Sequence, residues 1–159
     1  LQKVAKGDLR YRQARFLLGL ARYKLRDFAG AEQCFRLVAE AVPLNEVLNN
    51  LAAAQARKNA PEALENFQKA LEGDPNDPDY HFNVGYTLFR HGELEEAAEE
   101  FRAVLDRDPE DAEAITMLGR CLKPPVKRGT LPSQGLERLK HTYEETAYLQ
   151  LKAVLESKQ

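Results

Sequence analysis

The sequence predicts an all-α protein, a right-handed α-solenoid of stacked helix-turn-helix repeats that ends in a long C-terminal helix. Three observations support this prediction. Large residues recur at one site every 32 to 34 residues, at Leu1, Phe35, Phe67 and Phe101. Small residues recur every 33 or 34 residues, at Gly19, Ala52, Gly85 and Gly119. Prolines close the units, at Pro43, Pro75 and Pro109. Such a period is typical of helical hairpins that stack to bury a continuous core.

Caps and helix breakers predict the helices in order. Asp8 precedes a helix over about 9–25, and Asp27 precedes one over about 28–41. The next pair covers about 44–58 and 61–71, where Pro61 is acceptable in a first turn. Further helices follow over about 78–91, 93–107 and 111–122.

The C-terminal region shows a helical period of its own. Apolar residues recur three or four positions apart, at Leu136, Leu139, Tyr143, Ala147, Leu151, Val154 and Leu155. We therefore predict one long helix over 133–159. Its first half should pair with helix 111–122, and the rest should cap the open end of the stack.

These elements predict a solenoid over 1–123 and a linker over 124–132, followed by the capping helix. Within the solenoid we predict a partial repeat (1–9), three repeats (10–43, 44–76 and 77–110) and a further first helix (111–123). Since Leu1 matches the middle of a second helix, we expect the chain to be a piece of a longer protein. Its compartment stays open, with the cytoplasm favoured over the cell envelope or periplasm.

Composition excludes several classes of function. The 159 residues are 43% hydrophobic and 30% charged, which is ordinary for a soluble domain. A net charge of −2 gives no positive surface for nucleic acid. No apolar run reaches the ~20 residues of a membrane span. The three histidines are scattered among the units, and no phosphate loop or metal-ligand spacing occurs. We therefore predict no catalysis, cofactor, metal, nucleic acid or membrane insertion.

The unit from Asp79 to Pro109 has Gly85 and Ala97 where two helices would cross, and Leu88 and Phe101 where large residues would fill the space between them. These residues resemble the tetratricopeptide repeat family, and the resemblance extends over about residues 1–122. It implies a protein-interaction function in which the first helix of each repeat lines a concave groove.

Groove residues follow from that register. They are Phe16, Leu20, Tyr23, Asn49, Asn50, Phe82, Asn83, Tyr86, Phe89, Arg90, Met117 and Arg120. Asn50 and Asn83 occupy the same site in successive units, and an Asn amide can both donate to and accept from a peptide backbone. They resemble the asparagine ladder of some family members, which holds an extended peptide. The alternative is that they pair with their own solenoid.

Two functions remain open. The first is a non-catalytic module that binds a peptide or protein segment in the groove, centred on Phe82, Asn83, Tyr86 and Phe89. The alternative is a structural or assembly scaffold arm of a larger protein, with the groove filled in cis or by a second copy, so that homo-oligomerisation is left open. The two-carboxylate clamp of chaperone-tail binders is not expected, because its basic sites fall on Phe16, Asp79 and Asn83.

Overall fold

A computed structural model describes residues 8–123 and 135–158 of the chain, and within these ranges it contains eight α-helices and no strand. The helices are α1 Leu9–Lys24, α2 Phe28–Ala41, α3 Asn45–Arg57, α4 Glu62–Gly73, α5 Pro78–His91, α6 Leu94–Arg107, α7 Ala112–Leu122 and α8 Glu145–Ser157.

The first seven helices form a stack of hairpins. Helices α1 and α2, α3 and α4, and α5 and α6 are the three hairpins, and α7 packs after them against α6 and α5. Each helix packs against the next one in the chain, and the first helices also meet across hairpins, α3 with α5 and α5 with α7. The predicted all-α repeat architecture is therefore confirmed.

Acidic N-caps and a left-handed turn set the helix limits. Asp8, Asp27, Asp77 and Asp111 each accept a hydrogen bond from a backbone N–H in the first turn of the helix that follows. Such a bond satisfies one of the free donors at a helix N-terminus. Gly92 ends α5 with a φ of 86°, which glycine adopts without steric cost.

The core alternates large and small side chains where helices cross. Phe35, Phe67 and Phe101 have no exposed surface. A Cβ atom built on Gly19 would lie 2.7 Å from the Phe35 ring, and one built on Gly85 would lie 3.0 Å from the Glu100 Cβ atom. Small residues at these crossings allow the backbones to approach, which is the physical basis of the repeat pattern.

The prediction of a helix over 133–159 is wrong for its first part. Residues 135–144 form no helix, and α8 begins only at Glu145. We call residues 135–144 the strap. It does not pair with α7 as a second helix but passes from Leu136, near α7, to Tyr143, which contacts Phe16 of α1. The predicted linker 124–132 and most of the predicted partial repeat lie outside the described residues.

Distance explains why the strap is extended. Helices α7 and α1 are separated by three steps of about 8–10 Å along the row of first helices. Residues 136 to 143 are joined by seven steps, which span about 23 Å in an extended chain and so come close to this distance, whereas the same residues in a helix span only about 10 Å. An extended backbone can therefore reach from one end of the row to the other.

Candidate functional site

The strap lies along the surface formed by the first helices α1, α3, α5 and α7, which is the groove predicted from the sequence. Its backbone is held by asparagine side chains of two successive repeats. The Asn83 amide donates from Nδ2 to the Arg138 carbonyl over 2.8 Å, and the Arg138 N–H donates to Asn83 Oδ1 over 2.7 Å. The Asn50 amide makes the same pair of bonds with Lys140, at 2.7 and 2.8 Å.

Asn49 connects these two pairs of hydrogen bonds, which we call the asparagine clamps. Its Nδ2 donates to the Arg138 carbonyl over 2.8 Å, and its Oδ1 accepts from Asn83 over 2.7 Å. The three asparagines have no exposed surface. Because alternate residues of an extended chain project the same way, residues 138 and 140 can present their backbone groups to neighbouring repeats. The ladder therefore pairs with an extended segment, and that segment belongs to the same chain.

Arg138 occupies an aromatic and acidic site. Its guanidinium carbon lies 3.8 Å from the centroid of the Phe82 ring, which gives a cation–π contact. Two of its nitrogens reach the two oxygens of Asp111 at 2.8 and 2.9 Å, and one lies 3.5 Å from Asp79. The hydrogen bond from Arg138 lowers the pKa of Asp111 from its ordinary value.

Lys140 occupies a second acidic site at the N-terminus of α5. Its Nζ atom lies 2.6 Å from Asp77 and 2.9 Å from Asp79, and 5.0 Å from the centroid of the Tyr80 ring. Burial lowers the pKa of Lys140, but the hydrogen bonds to Asp77 and Asp79 outweigh this effect, so the pKa is raised overall. The carboxylates that begin α5 and α7 thus form an acidic rim that faces the two basic side chains of the strap.

Glu137 projects into a basic site between α3 and α5. Its side chain has no exposed surface, and its Oε1 atom lies 2.9 Å from Arg57 and 3.7 Å from Arg90. Glu137 Oε2 and Arg57 Nε have no hydrogen-bond partner among the described residues. The strap therefore presents one acidic and two basic side chains, each facing the opposite charge on the solenoid.

The far end of the strap is held against α1. The Tyr143 ring packs on Phe16 with a centroid separation of 4.8 Å. Its hydroxyl donates to Glu145, whose buried carboxylate also accepts from Arg12. Burial raises the pKa of Tyr143. From there α8 carries several exposed apolar side chains, among them Leu151, Val154 and Leu155.

The predicted groove residues separate into three groups. Five lie directly against the strap, namely Phe16, Asn49, Asn50, Phe82 and Asn83. Four lie beside the strap. Arg90 faces Glu137, and Tyr23 lines a cavity of about 280 Å³ together with Leu139. Met117 and Arg120 line another cavity with Leu136. Leu20 and Tyr86 are buried in the core and Phe89 is half-buried against it.

The groove is filled in cis by the strap, which is the arrangement left open above as the alternative. Tyr86, which we predicted at the centre of the contact, is only 1% exposed and belongs to the core. Sequence reasoning missed the strap itself and its acidic partners Asp77 and Asp111, which lie at the predicted starts of two helices and were given no further role. A usable signal was the spacing of Arg138 and Lys140, two residues apart and therefore on one side of an extended chain, which the prediction of a helix in this region had hidden.

No catalytic arrangement is found in the described ranges. His81 is bound by Glu100 and by the Pro75 carbonyl, each at 2.7 Å, which is a structural role. No cluster of His, Cys, Asp or Glu among the described residues could hold a metal ion. No described helix is long and apolar enough to cross a membrane.

Comparisons with known proteins agree with this architecture. A family model described as tetratricopeptide repeat matches residues 1–46 and 50–122. No curated protein sequence matches the chain.

Among solved structures, the chain is similar to the first tetratricopeptide repeat domain of Spaghetti (RPAP3), which is bound to the HSP90 peptide SRMEEVD. The TM-score is 0.68, and the identity is 21% over 72% of this chain and 93% of that one. The Arabidopsis OM64 domain has a TM-score of 0.69 and 21% identity over 75% of this chain and 100% of that one. YrrB, described as having an unusual peptide-binding site, has a TM-score of 0.59 and 27% identity over 65% of this chain and 54% of that one.

Proposed function

The chain belongs to the tetratricopeptide repeat family, and from that premise we propose that it is a protein-interaction module whose groove binds one extended polypeptide segment. In the closed state the occupant is the strap. An external segment that uses the same contacts has to displace it, so strap docking and partner binding exclude each other. The module is not catalytic.

The observation that carries this proposal is the pair of asparagine clamps. Asn50 and Asn83 each donate to and accept from the backbone of one residue, and the two residues they hold are 140 and 138. Bonds to the backbone hold an extended chain whatever its side chains are, as in other modes of peptide recognition. Solved relatives that bind peptides, such as Spaghetti with SRMEEVD, support a groove of this kind.

The acidic rim argues against an acidic tail as the partner. Asp77, Asp79 and Asp111 surround the sites of Lys140 and Arg138. A peptide such as SRMEEVD would bring carboxylates to carboxylates, and like charges at close range oppose binding. The sequence register also lacks the basic clamp residues for such a tail.

A permanent structural arm is the second candidate. It is favoured by two buried ion pairs, Glu137 of the strap with Arg57 and Glu145 at the start of α8 with Arg12. Removing one partner of a buried ion pair is strongly destabilising, by about 3–5 kcal/mol. A strap held this firmly would keep the groove closed and make residues 135–158 a fixed part of the fold.

A binding assay on the full chain separates the two candidates. We reverse the strap charges with Arg138→Glu and Lys140→Glu, which sets carboxylates against the acidic rim. The probe is a fluorescent synthetic peptide with the sequence of residues 135–148. We expect the reversed chain to bind the probe at least about tenfold more tightly than the unaltered chain, because a tethered segment competes at an effective concentration that reaches the millimolar range for short linkers.

The matched control reverses two exposed charges on and after α8, Lys152→Glu and Lys158→Glu, which changes the net charge equally and touches no groove residue. This control should behave like the unaltered chain. Adding Asn50→Ala and Asn83→Ala to the reversed chain should abolish probe binding at unchanged helical content. A reversed chain that stays folded and binds no probe rejects the module and supports the structural arm. Light scattering on the same samples detects a strap exchanged between two copies.

A further inference from the structure

The side-chain sites along the groove differ in charge and shape, and their order is fixed by the strap that occupies them. Resting on the proposed function, we infer that the groove selects extended segments with glutamate, arginine and lysine at the positions of residues 137, 138 and 140, followed by an aromatic residue at the position of residue 143. The partner is thus a protein segment of mixed charge with two basic residues two positions apart. It is neither an acidic tail nor a uniformly basic one.

The Arg138 site requires a guanidinium. One flat face stacks on Phe82 at 3.8 Å while two nitrogens meet the two oxygens of Asp111 at 2.8 and 2.9 Å. Arginine presents its donors in a planar fork that matches a carboxylate, whereas a lysine ammonium is a point charge and cannot make both contacts in this geometry. This site therefore distinguishes arginine from lysine.

The next basic site accepts a more compact cation. The Lys140 ammonium lies between Asp77 and Asp79, at 2.6 and 2.9 Å, at the end of an extended side chain. Asp79 also faces Arg138 at 3.5 Å, so one carboxylate is shared between both basic side chains of the occupant. The sharing requires the two cations to be two residues apart in an extended chain, where alternate side chains point the same way.

An acidic residue is selected on the other side of the backbone. Glu137 enters the site formed by Arg57 and Arg90, where a cation or an apolar side chain would leave two arginines facing each other without a counter-charge. The order of acidic and basic sites fixes the direction of the occupant, which runs from α7 towards α1. A reversed segment places a lysine against Arg57 and Arg90, and a glutamate against Asp77 and Asp79.

The aromatic site anchors the end of the segment. Phe16 packs on Tyr143 with a centroid separation of 4.8 Å, and the groove beside it forms a cavity of about 290 Å³ that is lined by Gln13, Leu17 and His141 among others. An aromatic ring buries a large apolar area at this position. The backbone clamps supply affinity for any extended chain, and these four side-chain sites supply the choice among chains.

Competition between peptides tests the inference on the full chain with Arg138→Glu and Lys140→Glu. The reference probe has the sequence of residues 135–148. A charge-swapped probe carries Glu137→Arg and Arg138→Glu, so its composition and net charge equal those of the reference. We expect the swapped probe to bind at least about 100-fold more weakly, since two side chains then face like charge. A probe with Arg138→Lys should bind about tenfold more weakly.

A groove substitution identifies the contact itself. On a chain that also carries Asp111→Asn, the difference between the reference probe and a probe with Arg138→Gln should shrink from about tenfold or more to less than about threefold, as expected for two groups in direct contact. If the affinities of the two probes differ on that chain as much as before, Asp111 does not bind the arginine side chain.

The outcomes separate the inference from the proposed function. If the swapped probe binds within about twofold of the reference, the groove holds any extended chain: the inference fails and the proposed function stands. If no probe binds, the proposed function fails. Should the reversed chain not fold, the unaltered chain with excess probe gives the same information, because displacement accelerates hydrogen exchange at residues 138 and 140 only with a probe that the groove accepts.

Discussion

Substituting Asn83 by alanine isolates the clamp that holds the strap. The change leaves the Arg138 N–H without its acceptor at 2.7 Å, which costs about 1–3 kcal/mol for a buried group. The Arg138 carbonyl keeps its bond from Asn49 at 2.8 Å, so its loss is smaller, about 0.5–1.5 kcal/mol. We expect docking of the strap to become less favourable by about 2–4 kcal/mol, which lowers the equilibrium constant between docked and released strap by about 30- to 1000-fold.

Hydrogen exchange of backbone amides measures that equilibrium directly. The amides of Arg138 and Lys140 donate to Asn83 and Asn50, so their protection reports strap docking. Both should exchange faster by the factor above, while protection in the hairpin cores changes little. Asn66→Ala is the matched control, because Asn66 bonds to Gln55 at 2.9 Å and has no strap contact. Equal exchange at residues 138 and 140 in both variants would refute the clamp.

Four further predictions concern pH and packing. Because Arg138 lowers the pKa of Asp111, their ion pair stabilises strap docking fully above the ordinary aspartate pKa of about 3.9 and loses this effect as pH falls through the lowered folded-state value. Asp111→Asn should flatten the acid dependence of exchange at residue 138, and an unchanged dependence would contradict the assignment. Phe101→Ala should lower the free energy of unfolding by about 3–5 kcal/mol in urea titration, because it leaves a cavity at a fully buried site. Gly85→Leu should cost about 1–3 kcal/mol in the same titration, since a Cβ there already meets Glu100 at 3.0 Å. Gly119→Ala, with no atom within 4 Å of the added Cβ, should instead stabilise by about 0.5–1 kcal/mol.

The exposed face of α8 distinguishes it from the other helices. Leu151, Val154 and Leu155 are each at least half exposed, and only Glu145 at its start is buried. Since the strap connects α8 to the groove, release of the strap also frees α8 from its contact with Arg12. Docking of the strap and placement of α8 are therefore expected to change together.

The sequence by itself determined the repeat architecture. A period of 32 to 34 residues in large, small and proline positions is imposed by stacking, because each hairpin has to bury the same stripe against its neighbour. The acidic caps Asp8 and Asp27 marked the starts of α1 and α2, and the equal register of Asn50 and Asn83 predicted a surface that pairs with an extended backbone. These features are local or repeat at a constant spacing, so one chain read in order reveals them.

Only the tertiary structure decided what occupies that surface. Leu136, Leu139 and Tyr143 have the spacing of a helix face, and nothing near them in the chain opposes a helix. The competing partners are Asn50 and Asn83, 90 and 55 residues away from the backbone groups that they bind. An extended chain loses its own helical hydrogen bonds. In return it gains hydrogen bonds to the asparagine amides and ion pairs with the acidic rim, and it spans about 23 Å. This exchange depends on how far apart α1 and α7 lie, and that distance exists only once the repeats have stacked.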